Sequence, residues 1–293
     1  MSTLGPDRLC AAINERLGAV PFTYTEGTTE HLLAIAGRPP IRFPHSAGGG
    51  VHGGSASWIA MKHRDGAIHE PGMIAALSVL AEERPSTRTI LDIGALYGYV
   101  SLVARSLFEA AEVHAFEVNP KSFQALVNNI EANRSTFGDS IHPHHCALSD
   151  VSEPHAALRI HRMSVESLSA GTSVGEKGRD YEIDVWSLDD YCRAHGLAPD
   201  LIKLDVEGYQ ARIVPGAREV IGRTRPVILM EFDAPGAAND FGVTNREVIA
   251  PLLDDGYRLI WGRHRRTDQP FRVLAADELT DEHEVNSLGI LVP

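Results

Sequence analysis

The sequence predicts an α/β fold: a mostly parallel sheet with helices packed on both of its faces. Three observations carry this. From residue 71 onward, short apolar runs alternate with stretches whose apolar residues recur at helical spacing. Thr89–Ile93, Val113–Phe116, Leu201–Leu204 and Val227–Met230 are nearly continuous apolar runs, the signature of strands buried on both faces. The junctions between runs and helical stretches carry glycine, proline or a capping residue. Strands that alternate with helices pair in parallel, because right-handed crossovers lay the helices over the sheet.

Composition narrows the class further. At 293 residues the chain has room for one elaborated α/β domain, or for a domain with an appended extension. Its 43% hydrophobic and 23% charged residues exclude a disordered chain. No apolar run approaches the roughly 18 residues of a membrane span. Lys and Arg number 27 against 39 Asp and Glu, a net charge of −12. That balance argues against a nucleic-acid partner, which calls for a basic face. Cys10, Cys146 and Cys192 are far apart and show no C-x-x-C spacing. The first ten residues have no basic-then-apolar leader pattern, so a reducing, cytoplasmic setting is expected.

The elements follow in order. Residues 1–70 are expected to form an N-terminal extension, and residues 71–293 the main domain. Pro6–Leu17 reads as a helix, with Leu9, Ile13 and Leu17 on one stripe and Gly18 as its stop. This helix is a candidate dimer arm in a homo-oligomer, or a satellite packed on the core. Pro39, Pro40 and Pro44 make His31–Pro44 extended or turn-rich. Residues 45–54 are glycine-dense and lack the Gly-Lys-Ser/Thr ending of a phosphate loop, leaving a mobile loop or a lid over a pocket. Next come a helix at Gly72–Glu83, the strand Thr89–Ile93, a glycine turn and a helix to Leu107. Val113–Phe116 is the second strand, Pro120–Asn133 a helix opened by its proline, and Ile141–Leu148 the third strand. Ala157–Ile160 and Glu182–Trp186 are short strands around a Ser/Gly-rich loop, Ser164–Gly178. Ser187–Asp190 has capping-box spacing, and Gly196 ends the helix that follows. Leu201–Leu204, Val227–Met230, a helix at Asn245–Leu253, Tyr257–Trp261 and Leu288–Val292 complete the sheet.

Ligands of such sheets bind outside the carboxyl ends of the strands, so the residues just after each strand are the candidates for chemistry. Leu91-Asp-Ile-Gly94-Ala-Leu-Tyr-Gly98 runs from a buried strand through a glycine turn into a helix. Glycine permits positive φ and lets a ligand approach the backbone. The spacing is Gly-x-x-x-Gly rather than Gly-x-Gly-x-x-Gly, and Asp92 would repel a pyrophosphate. A cationic ligand fits better. S-adenosylmethionine has no phosphate and carries both a sulfonium and an ammonium. Glu117, after the second strand, stands where an acid accepts hydrogen bonds from both hydroxyls of an adenosine ribose. Taken alone, this pair leaves NAD open.

A third motif is more specific. Lys203-Leu-Asp205-Val-Glu207-Gly ends a strand, and Val214-Pro-Gly-Ala217 closes the helix that follows. With Asp92-Ile-Gly-Ala, Phe116-Glu117, Phe123 to Asn129, Ser187-Leu-Asp-Asp190 and Pro226 to Glu231, it resembles the FkbM family of S-adenosylmethionine-dependent methyltransferases, over about residues 70–232. The resemblance implies a class I methyltransferase (Rossmann-like) fold. It also implies O-methylation of a hydroxyl on a small molecule, natural product or sugar. By position it implies cofactor contacts at Asp92, Gly94, Gly98 and Glu117, with Ala95 and Val118 beside them, and active-site acids at Asp205 and Glu207. The family often has Asn where this chain has Leu96. The segment before Glu70 has no counterpart.

The last candidates are Glu231 and Asp233, at the next strand end. A carboxylate or histidine there would act as general base, or Asp205 with Glu231 or Asp233 would hold Mg²⁺ and acidify the hydroxyl. Glu70 is a candidate for the methionine end of the cofactor, and Tyr97 and Tyr99 for π contact with the sulfonium. His142 and His144 share a strand face away from His145, and Asp189 and Asp190 read as caps. Two rival functions stand beside the methyltransferase: an NAD(P)-dependent oxidoreductase and a non-catalytic nucleoside-binding protein.

Overall fold

A computed structural model of the chain describes residues 5–45, 54–160, 165–167, 179–232, 241–284 and 286–293. From residue 5 the chain forms helix α1 (Pro6–Arg16), the strands β1 (Phe22–Glu26), β2 (Glu30–Ile35) and β3 (Ile41–Pro44), and helix α2 (Ser55–Lys62). Helix α3 (Pro71–Glu83) leads into β4 (Thr89–Ile93), α4 (Tyr99–Leu107), β5 (Glu112–Phe116), α5 (Pro120–Ala132) and β6 (Ile141–His144). Next are β7 (Ala147–Ser149), β8 (Glu153–Ile160), β9 (Val165–Ser167) and β10 (Arg179–Ser187). The chain finishes with β11 (Leu201–Leu204), β12 (Val227–Phe232), β13 (Arg258–Gly262), β14 (Arg272–Leu274) and β15 (Ser287–Val292).

Eight of these strands form the central sheet, in the order β14-β13-β15-β12-β11-β4-β5-β6. Pairing is parallel from β6 to β12, while β15 runs antiparallel to both β12 and β13. Strand β4 has β5 on one side and β11 on the other, so the order reverses there and a crevice opens at its carboxyl end.

Strand alternation divides the core into two apolar layers. Ile90, Leu201, Val227 and Leu229 face one layer; Leu91, Ile202, Ile228 and Met230 face the other. Leu9, Ile13, Leu33, Ile41 and Phe43 share the first layer with Met73 to Leu80 of α3. Two asparagines fasten this arrangement. Asn14 bonds both the N–H and the carbonyl of Phe271, and Asn133 does the same for Arg42. A side-chain amide that satisfies one donor and one acceptor mimics a strand partner.

One stretch follows the extended alternative and another departs from expectation. Residues 31–44 are extended: β2 and β3 pair antiparallel, and with β1 they form a meander. Pro39 and Pro40 fall between β2 and β3 and Pro44 ends β3, positions where the missing N–H does little harm to the ladder. Ile141–Leu148 is two strands. Residue His144 still accepts from the N–H of Glu117, but Ala147–Ser149 pairs with Val185–Ser187 in a separate sheet, β7-β10-β8-β9. Strand β14 is an element that the sequence pattern did not announce. No helix among the described residues is long and apolar enough to cross a membrane.

Candidate active site

The glycine turn after β4 is built as its sequence suggests. Gly94 and Gly98 have φ of +78° and +80°. A β-carbon on Gly94 would lie 1.9 Å from the Asp205 carbonyl oxygen, so only glycine lets β4 and β11 close on each other here. The N–H groups of Gly94 and Ala95 both donate to the carbonyl of Phe116, at 3.0 and 2.9 Å. Leu96 holds a left-handed φ of +51°. Glu70 and Glu207 share that conformation at +51° and +52°. Left-handed residues with side chains cost on the order of 1–3 kcal/mol and gather at functional sites.

Glu117 is buried against this turn. Its Oε2 accepts from the Leu96 N–H at 2.8 Å and its Oε1 from the Asn119 N–H at 2.7 Å. Each oxygen therefore keeps capacity for one more donor, as the diol of a ribose requires. Burial pushes its pKa up to about 7, although the two N–H groups pull the other way. An acid raised in this way binds its proton more tightly folded than unfolded. Its contribution to stability is therefore fully present at low pH and is lost as pH rises toward 7.

Beneath the turn lies an ion network that connects three strand ends. Lys203, on a strand that is buried throughout, sends its Nζ to the Gly94 carbonyl at 2.9 Å and to Asp92 Oδ1 at 3.0 Å. Asp205 Oδ2 is 3.5 Å from the same nitrogen. Ser101 donates to the other oxygen of Asp92 at 2.5 Å. Burial acts to lower the Lys203 pKa, but Asp92 and Asp205 outweigh it and hold the ammonium charged, above its ordinary range. Asp92 thus spends its carboxylate on Lys203 and Ser101, inside the floor of the site. Asp205 is the more open acid, with a quarter of its side chain exposed. Glu207 stands beside it; burial, then repulsion from Asp205, raises its pKa.

A second cluster sits at the ends of β12 and β13. Glu231 Oε1 is 3.2 Å from His264 Nε2 and 2.8 Å from the Arg265 guanidinium. Glu70 Oε1 is 3.1 Å from His69 Nε2, and the Gly72 N–H donates to the His264 carbonyl at 2.8 Å, bringing the start of α3 against this cluster. Burial lowers the His264 pKa to about 4, against the pull of Glu70.

The remaining candidates fall elsewhere. The ring of Tyr97 is fully buried and meets Trp58 edge-on at 5.8 Å, so it is a core residue rather than a π face on an open rim. The Tyr99 hydroxyl donates to the His69 carbonyl. The Val118 carbonyl faces His145, whose ring stacks on Phe123 at 4.6 Å. Asp189 caps the helix at Arg218–Thr224 through the N–H groups of Glu219 and Val220. Asp233 lies outside the described residues, as does most of the glycine-dense segment. Glu231 is grouped with Glu70 and His264, whereas Asp205 is tied to Lys203, which splits the acid pair expected to share Mg²⁺. Sequence reasoning passed over the roles of Lys203, His264 and Arg265. The signal for Lys203 was present: a lysine within a short apolar strand needs buried partners.

The family model described as the methyltransferase FkbM domain matches residues 92–259. No curated protein sequence matches the chain. Similar solved structures include methyltransferase FkbM from Methylobacillus flagellatus KT, at 16% identity and a TM-score of 0.44, covering 80% of this chain and 57% of that one. The O-methyltransferase from Bacillus cereus in complex with SAH is 17% identical, with 74% and 79% of the two chains covered and a TM-score of 0.39. SAH-bound Podospora anserina methyltransferase PaMTH1 is 15% identical, with 80% and 84% covered and a TM-score of 0.40. The chain thus spans little more than half the length of the first of these structures. With the family model matching more than half of its residues, the chain belongs to the FkbM family of S-adenosylmethionine-dependent methyltransferases.

Proposed function

We propose that this chain methylates a hydroxyl oxygen of a small molecule, natural product or sugar. The observation that carries the reading is Glu117, a buried carboxylate sewn to the glycine turn with room for two hydroxyl donors. That donor set fits a ribose, and the acids around it, Asp92, Asp205 and Glu207, disfavour the pyrophosphate of a dinucleotide. When bound, S-adenosylmethionine supplies a methyl group already activated by its sulfonium.

The chain's own work is then positional and proton-handling. Glu117 fixes the nucleoside end, and Gly94 and Gly98 let it approach the backbone. Asp205 is the acid that would take the acceptor's hydroxyl proton. Lys203, 3.5 Å away, holds Asp205 at the strand end. Alignment of this kind supplies up to roughly 7–11 kcal/mol in favourable cases, and a general base about 10²–10⁴-fold.

The test is Asp205→Asn. Turnover is expected to fall by about 10²–10⁴-fold, while calorimetric affinity for S-adenosylhomocysteine stays within a few-fold of the parent. Equal loss of both would assign Asp205 to the fold or the cofactor instead. Acceptors for the assay come from a screen of hydroxylated small molecules and sugars.

A further inference from the structure

Glu70, Glu231 and His264 reach one point from three distant parts of the chain. One ligand atom of each lies within 4.8 Å of the others, and all three residues are at least nine-tenths buried. His264 is the residue of the three that hydrogen bonding leaves unexplained. It is 1% exposed, and among the described residues neither ring nitrogen has a hydrogen-bond partner, although Nε2 points at the Glu231 carboxylate 3.2 Å away. Burial strips such a group of its water partners without replacing them, so such an imidazole calls for a ligand.

We propose that Glu70, Glu231 and His264 bind one divalent first-row transition ion, of the Mn²⁺ or Zn²⁺ type. Two carboxylates and one imidazole suit these ions; Ca²⁺ wants more oxygens, and Mg²⁺ has little use for nitrogen. Bonds of about 2.0–2.2 Å require the three ligand atoms to draw together from their present spacing. The backbone bond from Gly72 to His264 already pins the start of α3 to the turn after β13, so side-chain rotation suffices. His69 Nε2, on Glu70, orients that carboxylate. Arg265, which now holds Glu231, is half exposed and free to swing outward. Three protein ligands leave positions open for an acceptor oxygen. That catalytic role rests on the hydroxyl-methylation reading, whereas ion binding does not.

The experiment uses the full chain in a His142→Ala background. This removes a second, more exposed group, Glu112, His114 and His142, from the count. After chelation and dialysis, MnCl₂ and ZnCl₂ are titrated in separate calorimetric runs, with bound metal measured by mass spectrometry. One ion per chain is expected for at least one metal, and Glu231→Gln and His264→Gln should each weaken it at least 100-fold. Absence of a site in the parent, or unchanged affinity in both variants, overturns the proposal. If a variant fails to fold, thermal melting of the parent decides: a saturable rise in Tm with ion supports the site, and no rise at millimolar ion refutes it. Ion binding without methylation of any hydroxylated acceptor would count against hydroxyl methylation and leave the ion site standing.

Discussion

Lys203→Met is expected to destabilise the fold by about 3–5 kcal/mol, the usual consequence of removing one partner of a buried ion pair. Three groups lose their cation at once. Asp92 is buried 3.0 Å from Nζ, the Gly94 carbonyl accepts from it at 2.9 Å, and Asp205 lies at 3.5 Å. With methionine present, Asp92 keeps only Ser101, and its charge has no counter-ion at that depth. Chemical denaturation should show the midpoint fall with little change in slope. Adding Asp92→Asn should recover part of the loss, because the stranded charge is removed; an additive double mutant would mean the two residues do not act as a pair. Since the lysine pKa is raised, its contribution is fully present below the unfolded value of about 10.4 and fades only above it. The difference between parent and variant should therefore be flat across neutral pH.

Gly94→Ala should abolish cofactor binding and cost about 2–5 kcal/mol of stability. The left-handed φ of +78° costs an L-residue roughly 1–2 kcal/mol, and overpacking adds about 1–3. The added carbon would meet a backbone oxygen, that of Asp205, at 1.9 Å, so β4 and β11 must part and take the turn with them. Gly98→Ala is the internal comparison. There the nearest atom, at 2.6 Å, is the tip of the Leu126 side chain, which can rotate away. Equal affinities for S-adenosylhomocysteine in the two variants would mean that closure at Gly94 does not shape the pocket.

Much of this was legible in the sequence because the signals were local. The runs Thr89–Ile93 and Leu201–Leu204 announce strands with the observed boundaries, and Gly196 ends its helix in the left-handed conformation expected of it. The glycine turn and Glu117 were readable as a pair for the same reason: each follows directly from a strand end. Partnerships set by tertiary contact were not. Nothing in the order of residues brings Glu70 to His264, because their meeting depends on Gly72 docking against the turn after β13. Tyr97 misled for the opposite reason. It sits in the motif, but the turn directs its ring into the core, where Trp58 packs on it. For residues 31–44 the prolines left extended and turn-rich readings open, and only the pairing of β1 to β3 decides for the extended one.

The central claim is that Glu117 and the glycine turn hold an adenosyl cofactor, and its most direct test is calorimetric titration of S-adenosylhomocysteine between pH 6 and 8. One site per chain is predicted, with affinity falling as pH drops through about 7, because a protonated Glu117 must release its proton to accept two hydroxyl donors. Glu117→Gln should weaken binding and erase the pH dependence. An unmoved affinity in that variant, or no binding by the parent at any pH, would contradict the account.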